Sequence, residues 1–208
     1  PMLHAANIQD LAVKDLTVRG NADGEVWSTQ GRYTVGGIHV FNARNVHFER
    51  VAVRHWHNDG FSLQTGENVS VIGCEATGNL GNGYHPGTGL KNSTFENCLA
   101  EDNGTGLYFC WHNRGHVIRN CRFVRNGAGI TGLGNPGDRN NLIENNLFAE
   151  NDRVALQING GGKSGIVAAR DLSPADHIEA VRRFAHLIYR YRDIYLPGPD
   201  VGTNDADM

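Results

Sequence analysis

Long apolar runs are missing from this chain of 208 residues. Nothing approaches the roughly 20 apolar residues that a membrane-spanning helix needs, so no membrane span is expected. Residues 1–20 also lack the basic start and apolar run of a signal peptide. A strand-like pattern is nevertheless under way by Ile8, and the chain is expected to be a fragment, which leaves its location open. Runs of lysine or arginine are absent too. With 19 basic against 22 acidic side chains the net charge is −3, so there is no electrostatic footprint for nucleic acid. The four cysteines show neither Cys-x-x-Cys nor Cys/His spacing, and no metal site is expected. Proline is scarce at 6 residues, whereas glycine is abundant at 27, and the glycines are ordered.

Gly37, Gly60, Gly83, Gly106 and Gly129 each fall 23 residues after the last, with Val154 expected in the next place after a slip of two. Such a period marks a stacked array. Each position opens a short run in which apolar residues alternate with others, as in Gly-Ile-His-Val from Gly37 and Gly-Leu-Tyr-Phe from Gly106, which is strand periodicity. A second column, Phe48, Val71, Phe95, Ile118 and Ile143, starts another strand in each repeat. A third follows in Val51, Cys74, Cys98, Cys121 and Asn146. Asn, Asp and Gly lie between them, suited to the left-handed backbone of sharp corners. Each coil therefore holds three short strands and three corners, and only stacking coil on coil buries its apolar side.

The fold class expected is all-β: a right-handed parallel β-helix, a single-stranded solenoid of about 23-residue coils, over residues 1–158. The repeats, of which "VIRNCRFVRNGAGI" and "NLIENNLFAEN" are typical, resemble those of the pectate-lyase-like superfamily over roughly residues 7–158. That resemblance implies action on, or binding of, an extended carbohydrate, and a secreted or periplasmic setting. In resembling enzymes the site lies on an outer face and often uses Asp-bound calcium, Arg, Lys or His; no cluster of three or four Asp matches here.

Residues 8–20 are read as the first coil, with Leu16 and Val18 where Val51 and Val53 later stand. The offset of 35 exceeds one period by twelve, so an insertion carrying Trp27 and Tyr33 is expected at about 22–34. It forms either a binding wall or a loop pinned to the flank. Cys74, Cys98 and Cys121 are expected as unpaired thiols stacked inside the coil. Cys110 falls on the outward parity of its strand, but nothing near it in sequence points to activation.

Candidate functional residues fall in two groups. The corner "VRHWHNDG" crowds His55, His57 and Asp59, an arrangement open to acid/base chemistry, to a metal bridging two His, or to polar corner filling. The outward rows two and four residues after each glycine read His39, Ser62, His85, Tyr108, Thr131 and Phe41, Gln64, Gly87, Cys110, Leu133. Gln64, His85 and Tyr108, with Trp111, His112 and Arg114 in the following loop, are the expected substrate-binding residues. Rings there would cover sugar faces and Arg114 would hold a carboxylate; a solvated ladder is the alternative for the same rows.

The repeat grammar is expected to stop at Asn159. Ser173-Pro174 then reads as a helix start, and Ile178, Val181, Phe184, Ala185, Ile188 and Tyr191 share one face of a helix over about 174–191. Residues 159–208, a short α-helical tail, resemble part of the substrate domain of the glutamate/leucine/phenylalanine/valine dehydrogenases. The motifs are Gly160-Gly161-Gly162-Lys163-Ser164-Gly165-Ile166 and Pro197-Gly198-Pro199-Asp200-Val201-Gly202-Thr203. The resemblance implies catalytic roles for Lys163 and Asp200 and a cytoplasmic setting for the tail. The glycines do not form the Gly-x-Gly-x-x-Gly turn of a dinucleotide site, so no cofactor is expected in this chain. NAD(P) would require a nucleotide-binding domain supplied elsewhere, and the tail is expected to be idle.

The function expected is thus a β-helix acting on an extended carbohydrate as a lyase, hydrolase or epimerase. The alternatives are a non-catalytic carbohydrate-binding or adhesion β-helix, and an amino-acid dehydrogenase fragment inactive without its nucleotide domain. The expected partner is a polysaccharide or oligosaccharide.

Overall fold

A computed structural model describes residues 1–22, 36–160 and 163–167, the last two and 163–167 as backbone only. Trp27, Tyr33, the helix expected at 174–191 and Asp200 lie outside the described residues.

The chain winds into coils whose strands stack in parallel. Each regular coil presents three faces. The first carries the strands after the column glycines, such as Asn82–Pro86, Thr105–Tyr108 and Ile130–Leu133. Thr94–Glu96, Val117–Arg119 and Leu142–Glu144 lie on the second. The third is a six-stranded parallel sheet running from Thr17–Arg19 to Leu147–Ala149. In two coils, Ile38–Glu49 and Phe61–Ile72 run unbroken through the first two faces as 12-residue strands.

The columns hold. Ile38 pairs with Phe61, Phe61 with Tyr84 and Tyr84 with Leu107 on the first face. Phe48, Val71, Phe95, Ile118 and Ile143 lie abreast on the second, each inside its strand rather than at its start. All are buried. Aromatic rings stack along the axis, with Phe61 on Tyr84 and Phe123 on Phe148, each pair 5.1 Å between centroids. The first coil begins earlier than expected, since Leu3–Ala6 pairs in parallel with Ile38–Phe41. The offset of 35 is as read, with Val18 opposite Val53.

Three corners repeat in the left-handed region, the first being Asp10, Asn45, Asn68, Asn92, Gly115 and Asn140, ahead of the second face. Asp15, Arg50, Gly73, Asn97, Asn120 and Asn145 turn the chain from the second face to the third, and His55, Gly78, Asp102, Arg125 and Glu150 turn it out of the third. Glycine is required in the first-face column for a different reason. A Cβ on Gly83 would lie 2.7 Å from the carbonyl oxygen of Gly106 in the next coil.

At the last repeat the register departs from expectation. Ile130 pairs with Leu156, which puts Ala155, not Val154, in the column. Leu133 is buried against Ile158 instead of facing outward, because Gly132, at φ +79°, flips the strand's alternation. After the last parallel coil strand, Leu156–Gly160 pairs antiparallel with Lys163–Val167, Gly160 opposite Lys163. Lys163, in the glycine-rich motif, therefore sits in an edge strand.

Inside the corner that follows the third face, Asn79, Asn103, Asn126 and Asn151 form a buried ladder. Asn79 Nδ2 donates to Asn103 Oδ1 (2.8 Å), Asn103 Nδ2 to Asn126 Oδ1 (3.0 Å) and Asn126 Nδ2 to Asn151 Oδ1 (3.2 Å). Each Oδ1 also accepts the backbone N–H of the neighbouring rung, and each Nδ2 reaches a strand carbonyl of an adjacent coil. Exposed ion pairs such as Arg50–Asp15 and Arg125–Asp102 also join neighbouring coils, but exposed pairs add little.

Cys74, Cys98 and Cys121 are free and buried, as expected. Burial pushes the Cys74 thiol up to about 12 and that of Cys98 well above its ordinary value. All three should resist alkylation in the native chain and label once it is denatured; native labelling, or a disulfide between any two, contradicts the stack. Asn103→Ala should cost roughly 2–4 kcal/mol, because it strands buried donors and acceptors in two neighbouring coils. Thermal or urea unfolding checks this, and a melt unchanged from wild type would mean that the ladder carries no stability.

Candidate active site on the first face

The outward row of the first face runs His4, His39, Ser62, His85, Tyr108, Thr131. It is not a simple solvated ladder, for His39 and Ser62 are buried and His85 and Tyr108 only partly exposed. The Tyr108 ring meets the His85 ring edge-on, 5.2 Å between centroids and 66° between planes. Gln64 lies beside them, its Nε2 donating to Ser62 Oγ at 3.0 Å and standing 3.5 Å from His85 Nδ1.

The structure splits the His55, His57 and Asp59 group. His55, at a left-handed corner, lines a groove on the third face with Arg54, Glu75 and Glu101. His57 lies against the Trp56 ring at 5.3 Å. Asp59, buried just before Gly60, turns instead to His85 in the next coil. Its Oδ1 accepts the Asn82 backbone N–H (3.0 Å) and Asn82 Nδ2 (2.8 Å), while Oδ2 accepts His85 Nδ1 at 2.7 Å. A carboxylate only accepts, so the Nδ1 proton is committed to Asp59 and the approach of Gln64 adds no bond there.

The second ring nitrogen, His85 Nε2, is buried and has no partner at hydrogen-bond geometry. Cys110 is nevertheless close enough to act on the ring. Burial alone would lower the imidazole, but the Asp59 carboxylate and then Cys110 outweigh it and raise His85 to about 9. Burial likewise would raise the Cys110 thiol, yet His85, Thr88 and the Trp111 backbone N–H bring it below its ordinary value. Thr88 Oγ1 lies 3.0 Å from Cys110 Sγ, and Cys110 is partly exposed. Burial, followed by the influence of Cys110 and Asp138, raises the Tyr108 phenol, which keeps its proton.

Beyond Cys110 the chain turns toward the second face through Trp111, His112 and Arg114. Trp111 is 55% exposed, and His112 takes a left-handed conformation. Arg114 bridges in parallel to Lys91 on one side and Arg139 on the other, so three cationic residues follow one another at strand spacing. Their loop is held from below. His116 and Asn113 are fully buried; His116 Nε2 donates to Asn113 Oδ1 (2.9 Å), and its Nδ1 accepts the Ser93 N–H (3.2 Å). Asp138 in turn accepts the backbone N–H groups of Asn113 (2.8 Å) and Asn135 (3.0 Å). Of the expected substrate-binding residues, Gln64, His85 and Tyr108 are thus adjacent, while Trp111, His112 and Arg114 form a neighbouring rim.

Sequence reasoning missed the pairing of Asp59 with His85 and the closeness of Thr88 and His85 to Cys110. Counting could have found the first. Asp59 and Asn82 are one 23-residue period apart, and His85 is three residues further on.

A family model described as the right-handed β-helix region matches residues 3–169, most of the chain, and the protein belongs to that family. The match runs past residue 158, across the antiparallel strand Lys163–Val167. No curated protein and no solved structure matches the chain. Among the described residues no helix is long and apolar enough to cross a membrane.

His116 gives a pH prediction. Burial holds its imidazole down to about 4, against 6.5 in the unfolded chain. The unfolded state takes up a proton across that interval and the folded state refuses it, so stability is full above pH 6.5 and falls as pH drops toward 4. The loss attributable to this one group should reach roughly 3 kcal/mol. Urea unfolding from pH 7 to 4 for wild type and His116→Gln measures it; parallel curves for the two proteins would contradict the assignment.

Proposed function

We propose that the first face and its adjoining rim bind and act on an extended acidic carbohydrate. The observation that carries this reading is the buried Asp59 carboxylate on His85, edge-on to Tyr108 and beside a rim bearing Trp111 and the Lys91–Arg114–Arg139 row. An imidazolium and a row of cations suit the carboxylates of a uronic-acid chain, spaced along the coil axis at about 4.8 Å per coil. The exposed indole and partly exposed phenol supply flat apolar surface for sugar rings. His85, charged at neutral pH, would neutralise a substrate carboxylate, and Tyr108, holding its proton, could donate to a leaving oxygen. The reaction class is that of a polysaccharide lyase, hydrolase or epimerase.

One observation favours the second reading, a binding module without turnover. His85 Nε2 is buried, so its proton is turned away from a sugar lying along the rim in this conformation.

Titration calorimetry with oligogalacturonates and with neutral oligosaccharides of equal length tests the proposal. Tyr108→Ala and Arg114→Ala should each weaken binding of the acidic series about tenfold, the loss of one ring contact or one charge-assisted bond. Unsaturated or shortened products would identify catalysis, and binding without product the module. Equal affinity for the variants, or no binding to any acidic oligosaccharide, would overturn the assignment.

A further inference from the structure

We propose that Cys110 is the nucleophile of an acyl-transfer site, with His85 as its proton partner and Asp59 as the residue that orients His85; the substrate class is a carboxylic ester or thioester. This goes beyond carbohydrate binding and does not depend on it.

The cysteines divide by position. Cys74, Cys98 and Cys121 are in the wall, whereas Cys110 lies on the outer side of the first face, partly open to solvent. Its backbone N–H donates to the Pro86 carbonyl at 3.1 Å, which sets it against the strand that carries His85, and against its sulfur stands the Thr88 hydroxyl at 3.0 Å. His85 has one nitrogen fixed by Asp59 at 2.7 Å and the other buried without a hydrogen-bond partner. A nucleophile, a base and a third group that orients the base are the three parts that covalent acyl transfer requires. Asp59 is itself anchored by two bonds from Asn82, so the imidazole is held against rotation. Among the described residues no group of three or more His, Cys, Asp or Glu is placed to share a metal ion, which separates this constellation from a metal site. The depressed Cys110 thiol and raised His85 imidazole agree with a thiolate–imidazolium pair.

In the step, the Cys110 thiolate adds to the ester carbonyl carbon and a C–S bond forms. The C–O bond to the alcohol breaks, its electron pair leaves with oxygen, and His85 Nε2 supplies the proton that makes the free alcohol. Water then attacks the thioester carbonyl and gives a proton to His85. The C–S bond breaks, releasing the carboxylic acid and restoring the thiolate. No oxidant or reductant takes part.

The test uses the full chain, iodoacetamide and p-nitrophenyl acetate, with Cys110→Ser, His85→Gln and Asp59→Asn as variants. Native alkylation should fall on Cys110 alone, with a pH midpoint below that of an ordinary thiol near 8.5. His85→Gln and Asp59→Asn should move the midpoint upward and slow labelling at pH 7 by about tenfold, a shift of about one pH unit. If His85→Gln does not fold, the wild-type profile and Asp59→Asn still decide. p-Nitrophenyl acetate should leave an acetyl group on Cys110, found by peptide mass mapping, absent from Cys110→Ser and slow to hydrolyse in Asp59→Asn. An ordinary midpoint indifferent to both substitutions overturns the ion pair. A depressed midpoint with no acetyl adduct overturns acyl transfer.

Discussion

Each coil lies directly on the next at one strand spacing, so a polar group turned inward can be satisfied only by the coil above or below it. The asparagine ladder is how this chain meets that constraint. Starting from the Trp56 backbone N–H, each Oδ1 accepts from the rung before it, and each Nδ2 donates to a strand carbonyl and, as far as Asn126, to the next rung. An asparagine has one acceptor group and two N–H donors, and the corner uses all of them. Leucine would leave backbone donors buried and unpaired; serine would reach fewer partners. The ladder fixes the corner's position in every coil and thereby the start of every first-face strand.

The site is a local departure from that regularity. From each column residue on the first face to its counterpart on the second is 11 residues in the coils of Gly37 and Gly60, 12 in those of Gly83 and Gly106, and 14 in that of Gly129. The longer connections break the continuous strand and project Trp111 and Arg114. The same breaks expose backbone groups, which His116, Asn113, Asn135 and Asp138 recover by hydrogen bonds. Rigid support below and partly exposed chemistry above therefore share one cause, the extra residues.

The fold was almost wholly legible. Glycine spacing marked the coils, alternation marked which side chains face in, and Asn, Asp and Gly marked the corners. The exceptions have local causes: Gly132 reverses the alternation, so Leu133 goes inward, and Ala155 replaces Val154 in the column. The site was legible only as rows. His85 beside Tyr108 follows from parity, because stacked strands bring equivalent positions together. Asp59 on His85 does not, because it joins a corner residue to a strand residue three positions out of step.

What the sequence by itself determined is therefore everything that repeats: coil length, inward and outward faces, buried cysteines and the aromatic stack, since a periodic chain has one way to bury a periodic apolar face. Tertiary structure alone decided the chemistry of single side chains. His55, His57 and Asp59 are neighbours in sequence but diverge to different faces, while Asp59, His85 and Cys110 converge from three successive coils. The reason is physical. Side-chain rotamers and burial choose the partner of a charged group, and neither carries the period of the chain.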